Sequence, residues 1–244
     1  MYVGQQPPAA TLKAALGNIH RDGHWWYKVL IGGALLTSIV GWSIAEGYQL
    51  ESIENIQRGF PTPLPRWADW STKLLIGFFG IIIDFFFFAF PCLLGAFGVL
   101  VVSLIMGIWI EGPLRQTITQ VLAILVAGYV VLVWASSAGI VSKVLFVRDG
   151  GISAALETKL IRQGLRQPAL TAYGPARLQT LPFYALALVV LALGWSVPLS
   201  GWIRLGVIWL GMSSFFYARL VVVQLYAAAV AELERRRFAE AHRR

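Results

Sequence analysis

Charged residues are scarce in this 244-residue sequence. Asp, Glu, Lys and Arg make up 13% of it, hydrophobic residues make up 57%, and the mean hydropathy is +0.68. Soluble domains carry roughly a quarter charged residues. The composition therefore excludes an ordinary soluble domain and indicates an integral membrane protein.

Cysteine and histidine are nearly absent, which excludes several kinds of chemistry. The single cysteine, Cys92, rules out an intramolecular disulfide and is interpreted as a small buried hydrophobe. His20 and His24 have the spacing of zinc ligands, but Gly23 interrupts their helix and no third ligand follows, so we predict no metal. The sequence has no phosphate-binding loop, no dinucleotide fingerprint and no paired carboxylates within a span. We therefore predict a protein that is not an enzyme and has no cofactor, and we interpret the many aromatic residues as bilayer-facing bulk rather than a pigment or quinone pocket.

Long apolar runs predict an all-α, polytopic membrane bundle of about six transmembrane helices with short amphipathic surface helices. Residues 74–110 are too long for one span, so a turn is expected near residues 91–98. The polar stretch 46–59 is predicted to be a short surface helix that Gly59 ends, with a Glu54 to Arg58 pair. Residues 60–70, with three prolines and two tryptophans, are predicted to be a rigid surface strap. The predicted spans are residues 29–45, 73–94, 97–110, 118–141, 181–197 and 202–225.

The domain organisation follows from these segments. Residues 1–24 form a polar segment without the apolar stretch of a cleavable signal peptide, residues 25–228 form the bundle, and residues 229–244 form a basic helical tail that continues the last span. One alternative stays open, because residues 29–45 are short for a span and contain three glycines. They are either a transmembrane helix or a re-entrant segment.

The basic residues orient the predicted bundle. The net charge is +8, and most of the 20 Lys and Arg residues fall in the N-terminal segment, the loop after the fourth span and the tail. The positive-inside rule then predicts that both termini are cytoplasmic. Arg235, Arg236 and Arg237 follow the last span, so anionic lipid headgroups are their expected partners. Because these charges lie beside the membrane rather than on a basic domain, no nucleic-acid binding is expected.

One carboxylate lies inside the most apolar run of the chain. Counted from the start of the second span, Asp84 lies roughly 15 Å deep, near the midplane of a bilayer. Its predicted partner is Arg219 on the last span, and the alternative is a protonated Asp84. A proton or ion site needs further polar neighbours, and Gln120 and Gln224 are the only other candidates within the predicted spans.

Small residues recur every four positions in the first apolar segment. Gly33, Thr37, Gly41 and Ala45 would form one stripe on a helix, which lets a neighbouring backbone approach closely. We predict a helix-packing face there, within the chain or between chains.

A series of short motifs resembles the prokaryotic membrane proteins grouped as domain of unknown function 4013 (DUF4013). The similarity extends over residues 19–228, and the longer linker before the fifth span and the basic tail depart from it. It implies a multi-span bundle in a cytoplasmic (inner) membrane, and it implies no reaction. The motifs are Trp25-Trp26, Gly47-Tyr48, Arg58-Gly59, Leu64-Pro65-x-Trp67, Asp69-Trp70 and Gly150-Gly151.

Two functions remain open at this point. The first is a non-enzymatic subunit or assembly factor that packs against other membrane proteins, or against itself. The second is a small transporter or channel that acts as an oligomer. The sparse polar residues within the predicted spans favour the first.

Overall fold

The computed structural model describes residues 11–60, 62–110, 112–135, 137–165, 169–198 and 200–241. Over these ranges the protein contains helices and no strand, as predicted. The helices are α1 Leu12–His20, α2 Trp25–Leu35, α3 Ile39–Gln57, α4 Trp70–Asp84, a π-helical turn Phe85–Ala89, α5 Phe90–Trp109, α6 Pro113–Ala135, α7 Ala138–Asp149, α8 Ile152–Leu156, α9 Thr158–Gly164, α10 Ala169–Ser196 and α11 Gly201–Ala241.

Four helical stretches in the described ranges are long and apolar enough to cross a bilayer. They are Trp70–Ile108, Pro113–Val131, Tyr173–Ser196 and Gly201–Leu233. The prediction of about six spans is therefore not confirmed. The difference arises in the two N-terminal apolar regions.

The second apolar region, residues 74–110, is one continuous helix. The turn expected near residues 91–98 is wrong, because α4, the π-helical turn and α5 follow one another without a break. Pro91 lacks an N–H and its ring crowds the carbonyl of the preceding turn of an α-helix. The wider π turn lies just before it, with the Phe90 N–H donating to the Phe85 carbonyl, and keeps the helix continuous.

The first apolar region, residues 29–45, is not one helix. Helix α2 ends at Leu35 and α3 begins at Ile39, with the Ser38 side chain accepting a hydrogen bond from the Gly41 N–H. Neither helix is among the four long apolar ones. The two helices form a hairpin with a break between residues 35 and 39. This shape matches the alternative in which residues 29–45 are a re-entrant segment.

The polar half of α3 is buried, so the prediction of a surface helix over residues 46–59 is wrong. Glu46, Gln49 and Ser52 all lie in the interior. The other expectations for this segment are confirmed: Arg58 pairs with Glu54 at 2.5 Å, and Gly59 follows the helix with a φ of +75°, which favours glycine.

Residues 62–69, called the strap below, close over the ends of α2 and α3. Asn55 Nδ2 donates to the Pro63 carbonyl at 3.2 Å, and Lys28 Nζ donates to the Leu64 carbonyl at 3.1 Å. Trp67 Nε1 donates to the Lys28 carbonyl at 3.1 Å. These bonds place the start of α2 and the end of α3 on the same side of the fold.

The buried core lies around residues 213–233 of α11. Most of its largest fully buried side chains come from α3 and α11, and they include Tyr48, Phe216, Leu220 and Tyr226. Helices α10 and α11 pack as an antiparallel pair, with Tyr184 against Phe215 and Tyr173 against Tyr226. The first half of α11 and the second half of α10 expose many apolar side chains.

Helices α5 and α6 form a second hairpin that extends from this core. Tyr129 of α6 packs against Gly95 of α5. Cys92 on α5 is half-buried, so its expected buried position is wrong. Most large apolar side chains of the hairpin are exposed.

The segment after α7 contains two short helices, and the end of α11 completes the described part of the chain. The two short helices are α8 and α9, with an extended Glu157 between them. The predicted continuation of the last span is confirmed, since α11 runs to Ala241.

Candidate functional site

Four charged side chains from four helices meet inside the protein. They are Glu46 of α3, Asp84 at the end of α4, Lys143 of α7 and Arg219 of α11, and we call them the charge network. Lys143 Nζ lies 2.6 Å from Glu46 Oε1 and 2.7 Å from Asp84 Oδ1. Arg219 Nη2 contacts Glu46 Oε2 and lies 3.5 Å from Asp84 Oδ2. Two negative and two positive charges therefore balance at one point.

The network is largely withdrawn from the surface. The side chain of Glu46 is fully buried, and those of Lys143 and Arg219 are 5% and 11% exposed, whereas that of Asp84 is 37% exposed. Burying a charge is costly unless a partner of opposite charge is close. Each buried ion here has such a partner, and Asp84 is the member through which the network reaches the surface.

Neighbouring residues fix the geometry of Arg219. Its Nε donates to Gln49 Oε1 at 3.0 Å, and its guanidinium lies 5.8 Å from the centre of the Trp42 ring. Gly80 makes room for Glu46, because a Cβ at position 80 would lie 2.6 Å from Glu46 Cγ. The lack of a side chain at Gly80 therefore leaves the space that the Glu46 side chain occupies.

Two of the four members of this network, Asp84 and Arg219, are predictable from the sequence, which is similar in apolar character around both. These two were predicted to pair, and the structure places them 3.5 Å apart, but each has a closer partner. Glu46 was missed because residues 46–59 were predicted to lie on the surface. Lys143 was counted among the charges of the loop after the fourth span. Its apolar neighbours in the sequence of α7 were the one sign that it is buried.

The predicted small-residue stripe is not one helical face. Thr37 lies in the break between α2 and α3, and its hydroxyl donates to the Ala34 carbonyl. Gly33 packs against Ser213 of α11 and Ala45 is buried, whereas a Cβ on Gly41 would meet the Leu35 carbonyl of its own chain segment. The stripe prediction is wrong because it assumed an unbroken helix.

Two other glycines make the close approach between α3 and α4. A Cβ on Gly47 would lie 2.0 Å from the Lys73 carbonyl oxygen, and one on Gly77 would lie 1.7 Å from that of Ser43. Ser43 Oγ also donates to the Leu74 carbonyl at 2.8 Å. These contacts hold Glu46 and Asp84 at the network.

The motif residues of the family resemblance fall into two places. Tyr48 stacks on Trp67 of the strap with ring centres 4.1 Å apart, so Gly47-Tyr48 and Leu64-Pro65-x-Trp67 meet. Arg58-Gly59 ends α3 just before the strap. Gly150 ends α7 with a φ of +67°, and Gly151 precedes α8.

The tail arginines remain a prediction. Arg235, Arg236 and Arg237 lie on the last turns of α11, and their side chains are outside the described part of the structure. Among the described residues, no group of three or more His, Cys, Asp or Glu side chains is arranged to hold a metal ion.

These features define an α-helical membrane protein, with long apolar helices that join a buried core at a four-charge network. The chain belongs to the family described as "Protein of unknown function (DUF4013)", whose model matches residues 30–196. The resemblance inferred from the motifs is thereby confirmed. No curated protein and no solved structure matches the chain. The family match includes Glu46, Asp84 and Lys143 and ends before Arg219.

Proposed function

We propose that this protein is a non-enzymatic subunit or assembly factor that packs against other membrane proteins. The observation that carries the proposal is the exposed α5–α6 hairpin. In the apolar windows of Trp70–Ile108 and Pro113–Val131 no residue is buried, whereas half of the window in Gly201–Leu233 is buried. The hairpin thus offers an exposed apolar surface to a partner within the membrane.

The hairpin also offers places for close helix packing. A Cβ at Gly98 of α5 or Gly128 of α6 would meet nothing within 4 Å. Small residues at such open positions let a neighbouring helix approach closely, which is how helices associate in a bilayer. These two glycines therefore support a helix of another membrane protein as the partner of this surface.

The contacts along α11 support an orientation with both termini in the cytoplasm of a prokaryotic cell. His20 Nε2 lies 3.0 Å from Tyr217 Oη, Trp67 packs on Phe216, and Ser137 Oγ lies 2.8 Å from Tyr226 Oη. The N-terminal segment, the strap and the start of α7 thus all contact the middle of α11, between residues 216 and 226.

This arrangement concentrates basic residues at one end. Arg204 lies beside the α10–α11 turn, and Arg115 lies beside the tip of the α5–α6 hairpin. Neither residue belongs to the segments that contact residues 216–226 of α11. Arg58, Arg66 and Lys73 belong to the end of α3, the strap and the start of α4, which lie together with the N-terminal segment. By the positive-inside rule, this distribution of Lys and Arg supports an orientation in the cytoplasmic (inner) membrane with both termini on the cytoplasmic side.

The proposal is tested by cross-linking from inside the membrane. A photoreactive amino acid at Ile124, which is 70% exposed on α6, is expected to yield a discrete adduct with another protein in cells. The same residue at Trp202, which is 87% exposed on α11, is the matched control and is expected to yield lipid adducts. Lipid adducts alone at both positions would contradict the proposal.

A transporter or channel is the second candidate, because a row of buried polar side chains runs between α3 and α11. Gln224 Nε2 lies 3.4 Å from Ser52 Oγ, and the row continues through Gln49 to the charge network. Polar residues within a membrane bundle often mark a substrate or ion route. Native mass spectrometry in mild detergent separates the candidates: a self-oligomer that retains a small solute supports this one, and a heteromeric complex supports the first.

A further inference from the structure

One carboxylate of the charge network keeps a side open to the surface of the fold. The side chain of Asp84 is 37% exposed, whereas those of the other three members are at most 11% exposed. Lys143 Nζ lies 2.7 Å from each of the two carboxylate oxygens of Asp84, and Arg219 Nη2 lies 3.5 Å from Oδ2. A carboxylate has about four acceptor positions. Asp84 therefore retains acceptor capacity on its exposed side.

Asp84 lies in an apolar stretch at the depth of lipid chains. The stretch Trp70–Ile108 is long and apolar enough to cross a bilayer. Arg219, which lies 3.5 Å from Asp84, is about 27 Å along α11 from Gly201 at 1.5 Å per residue. The hydrocarbon core is about 30 Å thick. If α11 enters the core near Gly201, the charge network lies within it.

The surface beside Asp84 consists of aromatic rings. Four phenylalanines follow it along the π-helical turn and the first residue of α5, and each is between 41% and 48% exposed: Phe85, Phe86, Phe88 and Phe90. Neither these rings nor lipid chains donate a conventional hydrogen bond, and an acceptor left without a donor in a bilayer is costly. The exposed side of Asp84 thus calls for a donor from outside the chain.

The total charge of the network restricts what that donor can be. Its two carboxylates and two cations sum to zero. A lysine or arginine from a partner would leave one uncompensated positive charge in a medium of low dielectric constant, which is costly. A neutral amide or hydroxyl group supplies the hydrogen bond and keeps the total at zero.

We propose that Asp84 accepts a hydrogen bond from a transmembrane helix of another protein, and that the donor is a Ser, Thr, Asn or Gln side chain. The proposal rests on the proposed function and names the chemistry of its partner. Polar side chains of these types form hydrogen bonds between helices in bilayers. The donor would fix the depth and rotation of the partner helix against Trp70–Ile108, while the exposed phenylalanines supply the apolar contact around it.

Cross-linking beside Asp84 tests the proposal in cells that carry the full chain. The photoreactive residue p-benzoylphenylalanine takes the place of Phe88, which is 41% exposed and lies about one helical turn after Asp84 on the same side. We expect a discrete adduct with another membrane protein. Mass spectrometry of the linked peptide should find Ser, Thr, Asn or Gln within one turn of the linked position.

Phe86 provides the matched control for this probe. It is 48% exposed, but it lies two residues after Asp84 and therefore on a different side of the helix. The same photoreactive residue at position 86 is expected to give lipid adducts.

A charge-balanced variant tests the role of Asp84 itself. Asp84→Leu combined with Lys143→Leu removes one anion and one cation, so the remaining Glu46 and Arg219 keep the network neutral. The adduct yield at position 88 is expected to fall about fivefold, the effect of one hydrogen bond between helices. The thermal unfolding midpoint shows whether this variant folds, and if it does not, the linked peptide of the parent chain decides the question.

The outcomes distinguish this inference from the proposed function. Lipid adducts alone at position 88, together with a protein adduct at Ile124, would overturn the inference and leave the proposed function intact. An adduct with a second copy of the chain would overturn it as well. So would a linked helix whose polar side chain at this position is Lys or Arg, or that has no donor there, or an unchanged yield in the folded double variant.

Discussion

Replacing Glu46 by glutamine is expected to lower the free energy of unfolding by about 3 to 5 kcal/mol. Glu46 is fully buried and contacts both Lys143 and Arg219. Without its charge, two buried cations share only Asp84, which is partly exposed. Unfolding in mixed detergent micelles, followed by circular dichroism, measures the loss.

Two further variants make this prediction specific. Glu54→Gln removes a carboxylate of the same helix whose partner Arg58 is exposed, and it is expected to change stability by less than about 1 kcal/mol. The double variant Glu46→Gln with Lys143→Met leaves one anion and one cation, so it should be more stable than Glu46→Gln alone. A double variant that loses the sum of the two single effects would show that the charges do not interact.

Replacing Gly77 by alanine is expected to destabilise the protein by about 3 kcal/mol or more. The added Cβ would lie 1.7 Å from the Ser43 carbonyl oxygen, and this neighbour is backbone that side-chain rotation cannot relieve. The separation of α3 and α4 would break the hydrogen bond from Ser43 to the Leu74 carbonyl and would move Glu46 and Asp84 out of the positions in which both contact Lys143. The same unfolding titration measures the effect.

Gly128→Ala is the matched control for Gly77→Ala. Gly128 lies within α6, and its Cβ would meet nothing within 4 Å. Alanine is the better helix former by roughly 1 kcal/mol, so this variant should be neutral or slightly stabilised. Equal losses in the two variants would mean that the close approach of α3 and α4 does not control stability.

The sequence predicted the class of fold and several local features, because these depend on composition and on short-range signals. The helical fold, the helix end at Gly59, the Glu54 to Arg58 pair and the extension of α11 all follow from residues close together in the chain. Asp84 and Arg219 were paired from their depth along two helices. That reasoning found two members of the network because few charges occur in the apolar segments.

The errors share one physical cause, which is that burial depends on tertiary packing. A turn was expected near residues 91–98, but a π-helical turn just before Pro91 lets the helix continue without a break. The polar half of α3 was assigned to the surface, but Glu46 is buried because Lys143 and Arg219 arrive from distant parts of the chain. A hydropathy profile of the sequence does not reveal the contacts of Glu46 with Lys143 and Arg219.

Cysteine labelling of the strap tests the central claim most directly, namely that the N-terminal segment and the strap lie on the same, cytoplasmic side of the membrane. Single cysteines at Gly23, Thr62, Leu114 and Ser200, in a Cys92→Ala background, are treated with an impermeant maleimide in intact cells. Positions 23 and 62 should be protected until the cells are lysed, whereas positions 114 and 200 should react at once. Protection at position 23 together with labelling at position 62 would show that residues 29–57 cross the bilayer, and it would contradict the account.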